Sequence, residues 1–378
     1  MSSITSASGP SDNGILSSLI ANAGTVRQKL DLLTQQARTG LISTTYAGLG
    51  SGASVSLNIR PQITAMQTWQ NNVDASTGRT TVAQTALTQI QSVASNFFAQ
   101  LNNIDGTNIS EVDGIAATAR DALSQVAGLL DTQDGGIYVF AGQDTANPPV
   151  PNPNNILTSG FYTQINSAVT AFNGTPPNDA AGVANATFNV ATSNTAGTSP
   201  FSLYMSQPAA TLLTQLPTVQ VGQNSSEPVG LLASANSLIP ASVSAGPAIT
   251  GGPPTTTGSY MRDVLRALAT IGSLSSGQAN VAGFQDLVQD TRTSLSGAVS
   301  ALGNDAGVLG TIQSSLTATQ SSLADTQTAL TAQVSSAEDV DMASTLSQLA
   351  LVQTQLQGSY QLIAGMSGLS LAKFLPAA

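Results

Sequence analysis

The stretch that decides the fold is MASTLSQLALVQTQLQGSYQLIAGMSGLSLA, residues 342–372, which contains no charged side chain. Its larger apolar residues recur every seven positions, with a second track beside the first. The two tracks are Met342, Leu349, Leu356 and Ile363, and Leu346 and Tyr360. A helix on the surface of a soluble monomer normally covers its outer face with Lys and Glu. The pattern therefore predicts a helix that protein encloses on several sides.

A membrane-spanning helix is the alternative interpretation of this stretch, since 31 residues are long enough to cross a bilayer. Five glutamines argue against it, because each amide would need a hydrogen-bond partner in hydrocarbon. They are Gln348, Gln353, Gln355, Gln357 and Gln361. The sequence predicts no membrane span and favours burial inside an assembly larger than one chain.

A second apolar seam lies near the N-terminus, where residues alternate spacings of three and four over about three heptads. They are Leu16, Leu19, Ala23, Val26, Leu30, Leu33 and Ala37. Gly40 follows, where a helix commonly ends in a left-handed residue. We expect the two terminal helices to lie side by side as a coiled coil.

Further helices are predicted between these seams. One begins near Pro61, a residue suited to a first helical turn, and others cover roughly 112–130 and the residues after Ser259. A long helix begins near Gln285 and carries Leu309, Leu316, Leu323 and Leu330 at seven-residue spacing. Residues 40–58 are interpreted as a loop with a short extended piece.

The middle of the chain differs in composition, because 14 of the 17 prolines fall between residues 148 and 254. Runs such as ATFNVATS (186–193) alternate at period two, and GGIYVFAG (135–142) resembles a strand bounded by glycines. The predicted fold is mainly α, a long coiled-coil bundle of N- and C-terminal helices with a β-rich insert between the helical arms. Its predicted parts are a terminal arm and loop at 1–60, a first rod at 61–144, the outward-facing insert at 145–258, a second rod at 259–336 and a C-terminal arm at 337–378.

Composition excludes several functions. Only 8% of residues are charged, against about 25% in ordinary soluble proteins. The net charge of −10 argues against nucleic-acid binding. With no Cys and no His, disulfides, thiolate catalysis and histidine acid–base chemistry are excluded. We therefore predict no enzyme, no catalytic or metal-binding residue and no cofactor.

Three groups of charged residues are candidates for chemical roles. Glu338, Asp339 and Asp341 lie too close along a helix to converge on one metal ion, so a solvated break between seams is favoured. Asp263 with Arg266 is interpreted as a surface charge pair. An enzyme with two acids in a pocket stays open as a third class of function, for which the insert offers only Asp179 and Glu227.

The N-terminal residues MSSITSASGPSDNG contain no basic residue and no apolar core, so no cleavable signal peptide is expected. Apolar tracks at both ends predict that folding is coupled to association, with ends that are loose in the monomer and helical in the polymer. The predicted assembly seam comprises Leu16, Leu19, Ala23, Val26, Leu30, Leu33, Ala37, Leu309, Leu316, Leu323, Leu330, Met342, Leu346, Leu349, Leu356, Tyr360, Ile363, Leu369, Leu371, Phe374 and Leu375.

Three segments carry a family resemblance. They are NNVDASTGRTTVAQTALTQIQSVASNFFAQL (71–101), GGIYVFAGQDTANPPV (135–150) and AEDVDMASTLSQLALVQTQLQGSYQLIAGMSGLSLAKFL (337–375). Together they resemble the axial proteins of the bacterial flagellum, the flagellin superfamily, and most closely its L-type hook-associated members at the hook–filament junction. The resemblance covers both helical arms and not the insert.

The resemblance implies a structural protein of the extracellular flagellum that takes part in motility and is secreted by the flagellar type III export apparatus. It implies a ring of copies, with the other hook-associated protein and flagellin as neighbours. Because the surface of the C-terminal helix is so apolar, we also expect an export chaperone to bind it.

The chain departs from the family after the first helix, where TGLISTTYAGLGSGASVSLNIRP (39–61) replaces the usual basic segment and acidic "DDP". Elements typical of filament subunits are also missing, namely the Ala-Gln-Ala-Asn run and the Leu-Gln-Arg element. These absences favour a junction protein, with a flagellin-type filament subunit as the alternative.

Overall fold

The computed structural model describes residues 12–104, 109–238 and 247–372. The backbone divides into two compact units. Unit 1 comprises residues 1–67 and 325–378, and unit 2 comprises residues 68–324. The five-part division expected from composition remains a prediction.

Long helices dominate the described residues, and short elements connect them. In the first part of the chain these are α1 (Asp12–Thr39), α2 (Gly52–Leu101), α3 (Ile109–Leu130), β1 (Gln133–Asp134) and β2 (Ile137–Tyr138). The middle contains α4 (Gly160–Thr170), α5 (Ala180–Thr192), α6 (Ala209–Thr214), β3 (Thr218–Gln220) and β4 (Ser226–Pro228). The last part contains α7 (Tyr260–Gly272), α8 (Phe284–Glu338) and α9 (Met342–Ala372). Short 3-10 segments cover Tyr46–Leu49, Pro153–Thr158 and Ser276–Gln278.

The predicted fold class is confirmed. The fold is mainly helical, and the strands among the described residues form two small antiparallel pairs, β1 with β2 and β3 with β4. In the second pair Thr218 lies opposite Pro228, and Gln220 lies opposite Ser226. The break predicted after Glu338 is also confirmed, because α8 ends there and α9 begins at Met342.

The predicted start of the second helix is wrong. Helix α2 begins at Gly52, so Pro61 lies inside it, and residues 52–58 of the supposed loop are helical. The apolar residues Val55, Leu57 and Ile59 alternate with polar ones, a pattern typical of an extended piece. In the structure, however, Leu57 is exposed while Ser56 and Ile59 are buried. Burial three residues apart is helical. Because Pro61 has no backbone N–H, α2 loses one hydrogen bond at this position, but the helix continues past it.

The insert at 145–258 contains more helix than its composition predicted. The run ATFNVATS, interpreted as a strand, belongs mainly to α5. Asp179 is the N-cap of this helix, and its Oδ1 accepts a hydrogen bond from Gly182 N at 2.9 Å. Its buried residues Val183, Ala184, Thr187 and Ala191 follow helical spacing. Among the described residues of the insert, the β structure consists of the β3–β4 hairpin and a bridge from Leu232 to Ala141, which lies just before the insert.

Helix α7 lies at the centre of unit 2. Every residue from Tyr260 to Gly272 is buried, and the helix packs against α3, α4 and α5. The helix begins directly after Ser259, as the sequence predicted, and Ser259 caps its start by accepting a hydrogen bond from Arg262 N. A smaller cluster lies beside this core, where Val219 and Val221 of the hairpin pack with Val73 of α2 and Leu316 of α8.

The interpretation of Asp263 and Arg266 as a surface pair is wrong. Both are buried, and the guanidinium of Arg266 donates to Asp290 Oδ2 at 2.9 Å. Asp263 instead accepts from Thr256 Oγ1 at 2.7 Å and from Thr257 N at 2.8 Å. Charges at this depth require such partners, because an unpaired buried ion loses its hydration without compensation.

Asp131 predicts a pH dependence of the stability of unit 2. Burial raises the pKa of Asp131 to about 6, although Val150 N donates to its Oδ1 at 2.8 Å. The folded-state pKa therefore lies above the ordinary value, so this carboxyl destabilises the fold above about pH 6 and the penalty disappears as the pH falls towards about 4. Asp131→Asn keeps the acceptor and removes the charge. We expect it to raise the free energy of unfolding by about 1 kcal/mol at about pH 7, a value reduced for solvent screening.

Urea denaturation at about pH 7 and about pH 4 measures this effect. The gain should vanish at the lower pH, where the wild-type carboxyl is protonated. Asp121→Asn, at an exposed position of α3, is the matched control and should change stability little at either pH. An Asp131→Asn variant that is less stable at both pH values would contradict the assignment.

Candidate assembly surface

The two terminal helices pack against each other in unit 1, which confirms the predicted pairing of α1 with α9. On α1 the residues that face inward are those with the predicted spacing. Ala23 and Leu33 are buried, and Leu19, Val26, Leu30 and Ala37 are half-buried. Glycine ends this helix as expected, because Gly40 has a φ of +74°.

Helix α9 contacts α1 through one narrow stripe. Thr345 and Val352 are buried, and Leu349, Leu356 and Ile363 are half-buried. At about 100° per residue these five positions fall within an arc of about 60°. Leu349, Leu356 and Ile363 belong to the predicted track. Thr345 and Val352 were missed, although their spacing of three and four from Leu349 and Leu356 is the signal that could have revealed them.

Large apolar side chains remain exposed on both sides of this stripe. We call Met342, Leu346 and Tyr360 the first flank, and Leu351 and Leu362 the second flank. The first flank lies about 60–100° round the helix from the stripe, and the second lies about 100–120° round in the other direction. Leu346 and Tyr360 are 51% and 48% exposed, and Leu351 and Leu362 are 59% and 62% exposed.

This exposure is concentrated in unit 1. Among the described residues, every exposed large hydrophobic side chain except Leu203 and Leu213 belongs to this unit. Because α9 has no charged residue, the polar residues beside these apolar groups are all uncharged. When several large apolar side chains are exposed on one helix, they typically mark a site of protein association.

The other predicted seam residues are distributed differently. Leu309 and Leu316 of α8 are buried against residues of unit 2, whereas Leu323 and Leu330 are half-buried. The first two therefore contribute to the fold of the single chain. Five further predicted residues lie outside the part of the chain whose side chains are described. They are Leu16, Leu369, Leu371, Phe374 and Leu375. The role of the whole set in assembly remains a prediction.

A joint connects the end of α1 with the α8–α9 junction. Ile42 N donates to Glu338 O at 2.6 Å, and Val340 N donates to Gly40 O at 2.9 Å. These bonds close an antiparallel bridge between Leu41 and Asp339. Asp341 Oδ1 then accepts from Ala343 N at 3.0 Å and Ser344 N at 3.2 Å, which caps α9. The break between helices is thus held in one conformation.

Glu338 is not the solvated residue that the sequence suggested. Its side chain is buried, and Arg60 and Ser56 of α2 both donate hydrogen bonds to it. Arg60 Nε lies 3.0 Å from Oε1. The hydrogen bonds from Arg60 and Ser56 hold the pKa of Glu338 below its ordinary value. Its stabilising contribution is therefore present above the ordinary pKa and is lost as the pH falls through the lower folded-state value.

The described residues contain no group of three or more acids that could hold a metal ion. Glu338 pairs with Arg60 and Asp341 caps a helix, so each has a structural partner. Asp179 caps α5 and Glu227 lies in β4, on separate elements of unit 2. Glu338, Asp341 and Asp179 therefore each have a structural role, as an ion-pair partner or as a helix cap.

Gly52 and Gly24 allow a matched test of how the contact between α2 and the end of α8 stabilises unit 1. A Cβ added at Gly52 would lie 2.8 Å from the carbonyl oxygen of Ala337, whereas one added at Gly24 of α1 would meet nothing within 4 Å. We expect Gly52→Ala to destabilise unit 1 by about 1–3 kcal/mol through overpacking. Gly24→Ala should stabilise α1 by about 0.5–1 kcal/mol, because glycine is a poor helix former.

Amide hydrogen exchange along α1 and α9 measures both effects. Exchange should become faster in Gly52→Ala and slower in Gly24→Ala. Unchanged exchange in Gly52→Ala would mean that the α2–α8 contact does not stabilise unit 1.

None of the helices in the described residues is long and apolar enough to cross a membrane.

Residues 293–375 match the family described as the bacterial flagellin C-terminal helical region. No curated protein matches the chain. The matched segment includes most of α8 and all of α9, and so contains the stripe and both flanks. This C-terminal segment is therefore similar to flagellins, which are a family of structural proteins.

Proposed function

We propose that this chain is a structural subunit of the bacterial flagellum that joins the hook to the filament and polymerises through its terminal helices. The observation that carries the proposal is the uncharged and partly apolar surface of α9. This helix has no charged residue. It buries one stripe against α1 and exposes apolar residues on both flanks of that stripe. Burial of a large apolar side chain contributes about 1.5–3 kcal/mol, so neighbouring subunits that covered these flanks would gain substantial free energy.

The proposal includes the partners and location that the sequence resemblance implies. Copies of the chain form a ring outside the cell, between the other hook-associated protein and flagellin. Export proceeds through the flagellar type III apparatus. Before assembly, a chaperone covers the flanks of α9, since large exposed apolar surfaces promote unspecific association.

A flagellin-type filament subunit is the second candidate. The match of residues 293–375 to the flagellin C-terminal region supports it. The absence of the Ala-Gln-Ala-Asn and Leu-Gln-Arg elements supports the junction protein instead. The two candidates share the same assembly surface and differ in whether growth continues after the first copies have bound.

Seeded polymerisation distinguishes the two candidates. The purified chain is added to isolated hooks and to fragmented filaments, and growth is followed by electron microscopy. A junction protein should bind the hook end in a fixed amount and stop. Continuous extension of either seed would favour the filament subunit. Failure to bind any seed, with the chain folded, would contradict both candidates.

A further inference from the structure

A tight turn between α4 and α5 holds an Asn-Gly pair at its start. Asn173 N donates to Asn178 O at 3.0 Å, and Asn178 N donates to Thr175 O at 2.8 Å. Gly174 has a φ of +77°, and a Cβ at this position would lie 2.8 Å from Ala282 O. Glycine is therefore required here both by the backbone conformation and by the packing.

The side chain of Asn173 is exposed and polarised within this turn. Its Oδ1 accepts a hydrogen bond from Thr175 N at 3.0 Å and another from Thr175 Oγ1 at 2.7 Å. The backbone donor at Thr175 fixes which atom of the amide is the oxygen. Among the described residues, neither Asn173 Nδ2 nor Gly174 N donates a hydrogen bond to any acceptor. The leaving nitrogen and the adjacent backbone nitrogen are thus both unconstrained by partners.

We propose that Asn173 is a site of self-catalysed covalent modification, in which its amide is converted to aspartate and isoaspartate. With hydroxide as base, Gly174 N loses its proton and attacks Cγ of Asn173, forming a C–N bond. This attack closes a five-membered ring. Nδ2 then takes a proton from water, which regenerates hydroxide, the Cγ–Nδ2 bond breaks, and ammonia leaves behind a succinimide. Water opens the ring at Cγ to give aspartate, or at the backbone carbonyl to give isoaspartate. The sum is one water consumed and one ammonia released.

The two donors from Thr175 give this step its structural basis. Negative charge develops on Oδ1 when Cγ becomes tetrahedral, and donors already aimed at that oxygen stabilise it. Glycine at the next position leaves the attacking nitrogen without a side chain beside it. The only other Asn-Gly pair in the sequence, Asn13–Gly14, lies within α1, whose backbone is helical.

The product would alter the start of α5. Isoaspartate routes the main chain through Cβ and Cγ, which lengthens the backbone inside the turn closed by Asn173 N and Asn178 O. Either product adds a negative charge near the cavity of about 480 Å³ lined by Gly174, Asp179 and Asp286. Repulsion from these two carboxylates would loosen the cap of α5. The modification would accumulate with the age of the protein.

The test incubates the full-length folded chain at mildly alkaline pH and follows residue 173 by peptide mapping, with isoaspartate identified by its separate elution. We expect residue 173 to react faster than the exposed Asn224, which precedes Ser225. Thr175→Val removes the hydroxyl donor and should slow the reaction roughly tenfold, the effect of about 1.4 kcal/mol. Thr175→Ser keeps the donor and should retain the wild-type rate.

The same chains unfolded in urea provide the control, because the turn is then absent. Wild type and Thr175→Val should react at equal rates there. Equal rates in the folded state would overturn the role of Thr175 and with it the proposal. A folded chain in which Asn173 stays intact while the unfolded chain reacts would also overturn it.

Discussion

Replacing Leu351 and Leu362 together with Gln is expected to leave the monomer as stable as the wild type while reducing its incorporation into the polymer about 100- to 1000-fold. Both side chains are more than half exposed in the single chain, so the monomer should change by no more than about 0.5 kcal/mol. If neighbouring subunits bury them, each substitution removes about 1.5–2 kcal/mol of apolar burial from the contact. Together these losses correspond to the predicted decrease in affinity.

Co-sedimentation with seeds measures incorporation, and urea denaturation measures the monomer. Gln355→Ala, at an exposed position on the same side of α9, is the matched control for a change without loss of apolar area. Leu349→Asp provides the contrast, because it lies in the stripe against α1 and should disturb both measurements. Wild-type incorporation of the Leu351/Leu362 variant would contradict the idea that the second flank is buried in the assembly.

The pairing of α1 with α9 could be predicted from the sequence, because the apolar seam of α1 has only one possible phase. Charged residues such as Arg27, Lys29 and Asp31 mark its outer face. Helix α9 has no charges, so its phase was ambiguous. Apolar residues occur both in the stripe and on the flanks. Met342 has the seven-residue spacing of Leu349, Leu356 and Ile363, but it is exposed and lies outside the stripe. The contact with α1 fixes this phase and shows that Val352, which has the spacing of the stripe, is buried.

The interior of unit 2 could not be predicted for a different reason. Arg262, Asp263 and Arg266 have the spacing of a solvated helix face, and one sequence gives no sign that α5 covers that face. The guanidinium of Arg262 donates to the carbonyls of Ala191 and Ser193 at the end of α5, at 2.8 and 3.2 Å. Backbone carbonyls are acceptors at every residue, so their use by a buried arginine leaves no signal in the sequence.

Arg266→Ala is expected to destabilise unit 2 by about 3–5 kcal/mol, a large fraction of the stability of an ordinary domain. Arg266 and Asp290 are almost completely buried, and their 2.9 Å contact is the ion pair between them. The guanidinium also donates to Ala184 O and Thr187 Oγ1, both at 3.2 Å. Truncation leaves the Asp290 carboxylate without a counter-charge in a site from which water is excluded. Urea denaturation followed by the aromatic signal of unit 2 measures the loss.

Two measurements distinguish the loss of the Asp290 counter-charge from the loss of packing around Arg266. They are the pH dependence of the stability and the stability of a double variant. Burial already raises the pKa of Asp290, and the Arg266 charge opposes that shift. Without Arg266 the folded-state pKa rises further above the unfolded value, so the deficit of Arg266→Ala should shrink as the pH falls and Asp290 takes up a proton. Arg266→Met combined with Asp290→Leu removes both charges and should recover most of the stability. Arg292→Ala, which removes an exposed hydrogen bond to Asn102, should cost less than about 1 kcal/mol. A deficit that is the same at every pH, and that the double variant does not reduce, would show that Arg266 acts through packing alone.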